Sequence, residues 1–323
     1  RQFAITRGIK SPSARLKSRR AAVHFPVTHQ QVMPAHPNES LCERETELTG
    51  LGVALSPDRL RECFDAVGSC LSFDELSVRY VRYKPARHGI VAYTGQLQGK
   101  PVEFFVRACT PAGFQKRAAR HAQGLETCFP DSPWPAALPD LHIIVSPPGY
   151  DSLLRTVPQL ANADALQAMV NKALFYGKRV SDVKLTQLVH KPERRFVGRL
   201  DGDDFTAVIK CYTAEDFAAS RRKAKSSMQS GNGLRLARAI GRSRRHQFII
   251  LPWIEGNLLR DKLRQGEASD EDLQRVACAL AEFHRQPPTR KLQPQRTQDE
   301  ALRIRKVDGD VSYLLPHLAG RVS

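Results

Sequence analysis

The fold of this chain is decided by residues 184–210, KLTQLVHKPERRFVGRLDGDDFTAVIK. Two runs of alternating apolar and polar residues flank a tip at 191–194, and such alternation is typical of half-buried strands. The next turn, Asp-Gly-Asp-Asp at 201–204, is a strong hairpin signal. A third strand, Phe205–Lys210, follows it and ends in a lysine. The segment therefore predicts three antiparallel strands joined by two hairpins.

The elements after this segment predict a sheet that leads into a helical region. A helix begins at Thr213, which has the spacing of an N-terminal capping box with Asp216. A strand at 247–251, a linker around 251–258 and an amphipathic helix at 272–284 come next. Strands followed by helices indicate the α+β class.

The same order of elements occurs earlier in the chain. Lys-Pro-x-Arg is found at 84–87 as well as at 191–194, and Arg107-Ala-Cys-Thr resembles Lys210-Cys-Tyr-Thr. Matches of this kind indicate a duplicated supersecondary unit. The elements predicted for the first copy are helix 57–70 with Ser56 as its N-cap, strands 77–83, 90–93 and 102–106, helix 111–123, loop 128–139, strand 141–145 and helix 161–176.

Composition restricts the partners and the compartment. The 323 residues carry 50 Lys and Arg against 33 Asp and Glu, and this net charge of +17 favours anionic partners. No apolar run is long enough to cross a membrane, so we expect no membrane partner. The seven Cys are scattered without a Cys-x-x-Cys pair, which argues against disulfides and a zinc site. We expect a cytoplasmic protein without metal ligands in this chain.

The first forty residues differ from the rest of the chain. They are basic, contain four prolines and show no lasting periodicity, so we predict a disordered arm. The chain opens with Arg instead of Met, and we therefore expect it to be a fragment.

The order of these elements resembles the aminoglycoside phosphotransferase (choline-kinase-like) family of small-molecule kinases. The features that carry the resemblance are the lysine ending the third strand, the helix after it, and the linker Leu-Pro-Trp-Ile-Glu-Gly at 251–256. The resemblance implies a protein-kinase-like fold and transfer of the ATP γ-phosphate to a hydroxyl of a small molecule, in the presence of Mg²⁺. It divides the chain into a disordered basic arm (1–40), a capping subdomain built like a kinase small lobe (41–178), the true small lobe with its hinge (179–256) and the start of an incomplete helical large lobe (257–323).

The resemblance also assigns candidate nucleotide-binding residues. By matching position, Lys210 would hold the α- and β-phosphates of ATP. The linker residues Pro252, Trp253 and Ile254 would line the adenine slot. The hairpin tip lies where related kinases cover the phosphates, and there Lys191 and Arg194 would act through charge and bidentate geometry.

Two departures from the family pattern concern catalysis. Kinases pair the strand lysine with a glutamate of the next helix, whereas residues 221–227 contain no acid. The family's His-Gly-Asp loop, which supplies the catalytic Asp and leads to the magnesium ligands, is absent, and in family order it would come beyond Ser323. We therefore predict no catalytic residue in this chain, magnesium ligands beyond residue 323 in the parent protein, and no activity for the chain itself.

Two other classes of function remain open. A non-catalytic kinase-like module would use its basic surface to bind an anionic partner, and it would not be stabilised by Mg-ATP. A nucleic-acid binder would lose affinity steeply with salt, but no aromatic strand motif or known nucleic-acid module supports it. Each motif also has an ordinary structural interpretation, since strand-end lysines are usually solvated and Lys-Pro-x-Arg is often an exposed turn.

Overall fold

The computed structural model describes residues 37–69, 71–225, 237–285 and 297–314, which form two compact units. The larger unit holds both β-sheets and comprises the described residues of 38–225, 238–253 and 297–314. The smaller unit contains residues 254–285. The predicted disordered arm lies outside the described residues up to position 36, and the boundary predicted at residue 40 falls within a helix, Pro37–Arg44.

The first sheet has five antiparallel strands in the order β1-β2-β3-β5-β4. Its first three strands form a meander, and a helix follows the third strand, as predicted. The elements of this half are α1 (Pro37–Arg44), α2 (Leu51–Leu55), α3 (Pro57–Ala66), β1 (Phe73–Lys84), β2 (His88–Leu97), β3 (Lys100–Cys109), α4 (Pro111–Cys128), β4 (Ala137–Leu138) and β5 (Ile143–Ser146).

The second sheet repeats this topology in the order β6-β7-β8-β10-β9, which confirms the α+β class and the predicted duplication. Its elements are α5 (Val157–Leu160), α6 (Ala163–Ala173), β6 (Lys184–Lys191), β7 (Arg195–Gly202), β8 (Phe205–Tyr212), α7 (Ala214–Lys225), β9 (Gly241–Ser243) and β10 (Phe248–Pro252). The helices that come later in the chain are α8 (Leu259–Gln265), α9 (Asp270–Arg285) and α10 (Thr297–Leu314).

The helix caps show how closely the two copies agree. The side chains of Ser56 and Asn162 each accept a hydrogen bond from the backbone N–H three residues on, at 3.4 and 2.9 Å, and so start α3 and α6. Thr110 and Thr213 cap α4 and α7 in the same way, both at 3.2 Å. The caps predicted at Ser56 and Thr213 are confirmed.

Unusual backbone conformations also recur at matching positions. Ala86 and Glu193, at the tips of the β1–β2 and β6–β7 hairpins, have φ of 50° and 54°. His142 and Gln247, just before β5 and β10, have φ of 51° and 53°. Left-handed φ is uncommon outside glycine, so its recurrence at matched positions supports a common origin for the two sheets and the elements around them.

Each sheet buries one face against its own helices. The first core packs α2 and α3 on the sheet through side chains such as Leu51, Phe64 and Phe104. The second core packs α5 and α6 on the sheet through side chains such as Val170 and Ile209. Each half therefore has a hydrophobic core of its own. Burying one side chain of this size contributes roughly 1.5–3 kcal/mol to the stability of that core.

Several predicted boundaries in the first half differ from those observed, and two of these differences have a clear physical reason. The helix predicted to reach residue 70 ends at Ala66, because Gly68 with φ of 69° turns the chain out of the helix. The segment 128–139, predicted as loop, contains the end of α4 and the short strand β4. A strand of two residues has no periodicity of its own, and only its pairing with β5 defines it.

Candidate functional site

Lys210 lies on β8, on the side of the second sheet that faces away from the core. Its chain neighbours Ile209 and Cys211 are buried in the second core, and successive strand residues point to opposite sides. The cross-strand partners of Lys210 are Val197 on β7 and Ile249 on β10. We call this side of the second sheet the Lys210 face.

Two more basic residues occupy the Lys210 face, one row closer to the hairpin tip. Lys191 on β6 and Arg195 on β7 are cross-strand partners, and Arg195 also pairs with Tyr212. Burial lowers the pKa of Lys210, and the positive charge of Arg195 lowers it further. No residue of the described ranges forms an ion pair with Lys210. The geometry thus places three cations on one face, and within the described ranges no carboxylate forms an ion pair with any of them.

The helix after β8 does not supply that carboxylate. The only acids of α7, Glu215 and Asp216, lie in its first turn. The backbone N–H of Asp216 bonds to the Thr213 hydroxyl, which fixes this turn as the cap. The departure noted in the sequence therefore remains in the folded chain.

The predicted adenine slot is only partly assembled on this face. Trp253 continues the pairing of β10, since its backbone N–H donates to the Thr206 carbonyl at 3.2 Å. The guanidinium carbon of Arg199 lies 4.7 Å from the Trp253 ring centroid, a cation–π contact on the Lys210 face. Pro252 pairs with the core residue Ala207 and points to the other side of the sheet. Ile254 belongs to the smaller unit.

The first hairpin tip is held by a carboxylate that the sequence did not single out. Glu45 accepts hydrogen bonds from the backbone N–H of Ala86 at 2.8 Å and from the hydroxyl of Tyr83. It also accepts one from the backbone N–H two residues after itself, at 3.1 Å. The left-handed residue at the tip is thereby fixed by an acid from the segment before α2.

The second tip is held in the same way by Asp151. This carboxylate accepts hydrogen bonds from the backbone N–H of Glu193 at 2.7 Å and from the N–H two residues after itself at 3.0 Å, and His190 Nε2 lies 3.1 Å from it. His190 takes the place that Tyr83 has in the first copy. Because the two acids come from segments of different sequence, no short motif identified them.

The second tip, which was predicted to lie over the phosphates, contacts the first sheet. Pro192 and Glu193 are buried, and the Glu193 carboxylate accepts a hydrogen bond from Arg107 of the first sheet. Of the two tip residues predicted to contact phosphate, Lys191 lies on the Lys210 face and Arg194 is exposed. The structure brings Lys191 and Lys210 onto one face and anchors the tip on the first sheet.

Arg107 is the first-sheet counterpart of Lys210. Each lies two residues before the end of its strand and three before the threonine that caps the next helix. Arg107 is 6% exposed, whereas Lys210 is half-buried. The match between Arg107-Ala-Cys-Thr and Lys210-Cys-Tyr-Thr indicated this equivalence. The pairing of Arg107 with Glu193 depends on how the two repeats pack, so it could not be predicted from the sequence.

Comparison with known proteins adds no family to these observations. No protein-family model, curated protein or solved structure matches this chain. Within the described residues, no three His, Cys, Asp or Glu side chains converge on a metal-sized site. None of the helices in those ranges combines the length and apolarity needed to cross a membrane.

Proposed function

We propose that this chain binds the phosphate groups of ATP on the Lys210 face. The observation that carries the proposal is a half-buried lysine beside Arg195 with no carboxylate partner among the described residues. A phosphate would supply the missing negative charge and accept charge-assisted hydrogen bonds from the ammonium group. Lys191, in the next row of the same face, would add to the attraction.

The other end of the face suits a base. The Arg199 guanidinium lies over the Trp253 ring there, and Trp253 Nε1 is buried without a hydrogen-bond partner among the described residues. Thr206, which pairs with Trp253, is four residues from Lys210 on β8, a distance of about 13 Å. We propose that the base lies near Trp253 and the phosphates near Lys210, with Pro252 as a flanking position of the slot.

The reaction that we propose is transfer of the γ-phosphate of ATP to a hydroxyl of a small molecule. It is supported by the order of elements, because an antiparallel sheet with a lysine late on its third strand, a capped helix and a further strand follow one another as in kinase small lobes. The first sheet would then be a capping subdomain of the same design. Bound Mg²⁺ would neutralise phosphate charge, while the residues of this chain would bind and orient the phosphates.

A non-catalytic module that binds an anionic partner is the second candidate. It is favoured by α7, which has no acid after its first turn and so offers Lys210 no partner of the kind that active kinases use. In this function the Lys210 face would bind an anion without any phosphate transfer.

Isothermal titration of the 323-residue chain with ATP, with and without Mg²⁺, tests the proposal. We expect Lys210→Met to weaken ATP binding roughly 10- to 100-fold, since it removes a hydrogen bond to a charged group. Lys100→Met is the matched control, because Lys100 is an exposed strand lysine of the first sheet. It should leave ATP binding unchanged.

Product analysis separates the two candidates. Phosphate transfer to a sugar or aminoglycoside that is lost in Lys210→Met would support the phosphotransferase and would contradict the inactivity expected from the sequence. ATP binding without transfer to any acceptor would support the binding module. Absence of ATP binding, or equal binding by Lys210→Met and the wild-type chain, would overturn the proposal.

A further inference from the structure

A second group of cations is buried on the first sheet. Arg82 on β1 and Arg107 on β3 flank Ile90 of β2 in one cross-strand row, so the three side chains point to the same side. Lys84 and His88 form the next row on that side. These rows are the first-sheet counterparts of the rows that carry Lys210 and Lys191.

Three nitrogen atoms of this group are buried without a hydrogen-bond partner among the described residues. They are Arg82 Nε, Arg107 Nε and His88 Nε2. Arg107 is 6% exposed, so bulk water does not replace the missing acceptor. A buried N–H left without a partner costs about 1–3 kcal/mol, and such groups are almost always satisfied in folded proteins.

The charge of the group is also unbalanced. Glu193 is the one carboxylate that the described residues place in ion pairs with these arginines, at 3.5 Å from Arg82 and in direct contact with Arg107. Burial lowers the pKa of His88 to about 3, and it is lowered further by the surrounding positive charges of Arg107, Arg82, Lys84 and Arg117. Among the described residues, one carboxylate thus pairs with the two arginines, and three nitrogen atoms of the group have no hydrogen-bond partner.

We propose that a small tetrahedral oxyanion, inorganic phosphate or sulfate, binds beside Glu193 and accepts hydrogen bonds from Arg82 Nε, Arg107 Nε and His88 Nε2. The anion would satisfy the buried donors and balance the excess positive charge in one step. Because Arg107 and Glu193 are 6% and 8% exposed, the site takes a free ion and excludes a nucleotide. The site lies on the first sheet and does not depend on ATP binding at the Lys210 face.

Titration with inorganic phosphate at fixed ionic strength tests the site, and the Lys210→Met chain is the background that removes the proposed ATP site. We expect saturable binding of phosphate. Glu193→Gln removes the competing negative charge and should tighten binding roughly tenfold. A purely structural role for Glu193 would not produce tighter binding.

The controls separate this site from general effects of phosphate. Arg82→Met should abolish saturable binding, while Arg61→Met should not, although Arg61 Nε is also buried and unpaired, on α3. Phenyl phosphate should bind at least tenfold more weakly than inorganic phosphate, because its ring does not fit a buried site.

The proposal is overturned if phosphate does not bind, if Glu193→Gln does not tighten it, or if phenyl phosphate binds equally well. If Arg82→Met does not fold, as judged by circular dichroism, the change in phosphate affinity in Glu193→Gln decides whether the proposal stands.

Discussion

The two sheets place a cation at the same point of the same topology but satisfy it differently. In the first sheet, Arg107 is buried and paired with Glu193. In the second sheet, Lys210 has no carboxylate partner among the described residues. The carboxylate that pairs with Arg107 comes from Glu193 at the hairpin tip of the second sheet, and the matching position of the first tip is Ala86. In the first copy the strand cation is therefore part of a structural joint, by which we mean the Arg107–Glu193 pair between the two sheets. In the second copy the strand cation lies on a candidate binding face.

The largest effect that we expect comes from removing the paired cation. Arg107→Met leaves the buried Glu193 with only its longer contact to Arg82, at 3.5 Å, and should lower the free energy of unfolding by about 3–5 kcal/mol. Lys210→Met removes an unpaired cation and should change the free energy of unfolding by less than about 1 kcal/mol. Urea unfolding at neutral pH measures both. Equal losses in the two variants would mean that the two positions are not distinguished by pairing.

A double variant sharpens this comparison. In Arg107→Met with Glu193→Leu, apolar side chains replace both members of the buried pair, and the more exposed Arg82 loses only its contact at 3.5 Å, so most of the loss should be recovered. If the double variant is as unstable as Arg107→Met alone, the loss has a cause other than the isolated carboxylate.

The acids that hold the two tips should come next in size. Asp151→Ala removes the acceptor of the Glu193 N–H and releases the tip that carries Glu193, so we expect a loss of about 3 kcal/mol. Glu45→Ala releases a tip that carries only Ala86 and should cost about 2 kcal/mol. Urea unfolding measures the free energy lost in each variant. A larger loss for Glu45→Ala than for Asp151→Ala would mean that the second tip does not add stability through the Arg107–Glu193 pair.

The sequence was sufficient to predict the longer strands of both sheets, but it did not predict the short strands β4 and β9 or the contact between the sheets. Alternation, the turn at 201–204 and the threonine caps are local signals, and the strands and helices predicted from them are observed. The roles of Asp151 and Glu193 depend on contacts between residues far apart in the chain, which periodicity cannot reveal. For the same reason the tip at 191–194, read as a cover for phosphates, is anchored on the first sheet.

His88 should give the first sheet a pH dependence that the second sheet lacks at the matching position, where Arg195 stands. The pKa of His88 is about 3 in the folded chain and about 6.5 when unfolded, so unfolding takes up a proton between these values. Its contribution to stability is therefore complete above pH 6.5 and is lost as the pH falls toward 3. Unfolding midpoints in phosphate-free buffer should fall less with acidification in His88→Gln than in the wild type. Parallel pH profiles would contradict this assignment.

The smallest effect should be the same in both copies. Thr110→Ala and Thr213→Ala each remove a side-chain cap of equal length, at 3.2 Å, and each should cost about 1 kcal/mol. Thermal unfolding of the two variants checks this. Losses that differ by more than about 1 kcal/mol would show that the repeated helices contribute unequally, despite their matching caps.

The contact between Glu193 of the second copy and Arg107 of the first gives the repeat a direction along the chain. The second copy neutralises the strand cation of the first, and its own cation has no ion-pair partner in the part of the chain that the structure describes, so a further copy joined in the same way would follow the second in a tandem array. Each added unit, with an acid at its tip, would convert the previous terminal unit into an internal one. Position in such an array, more than the identity of the strand cation, would decide which unit is available to a ligand.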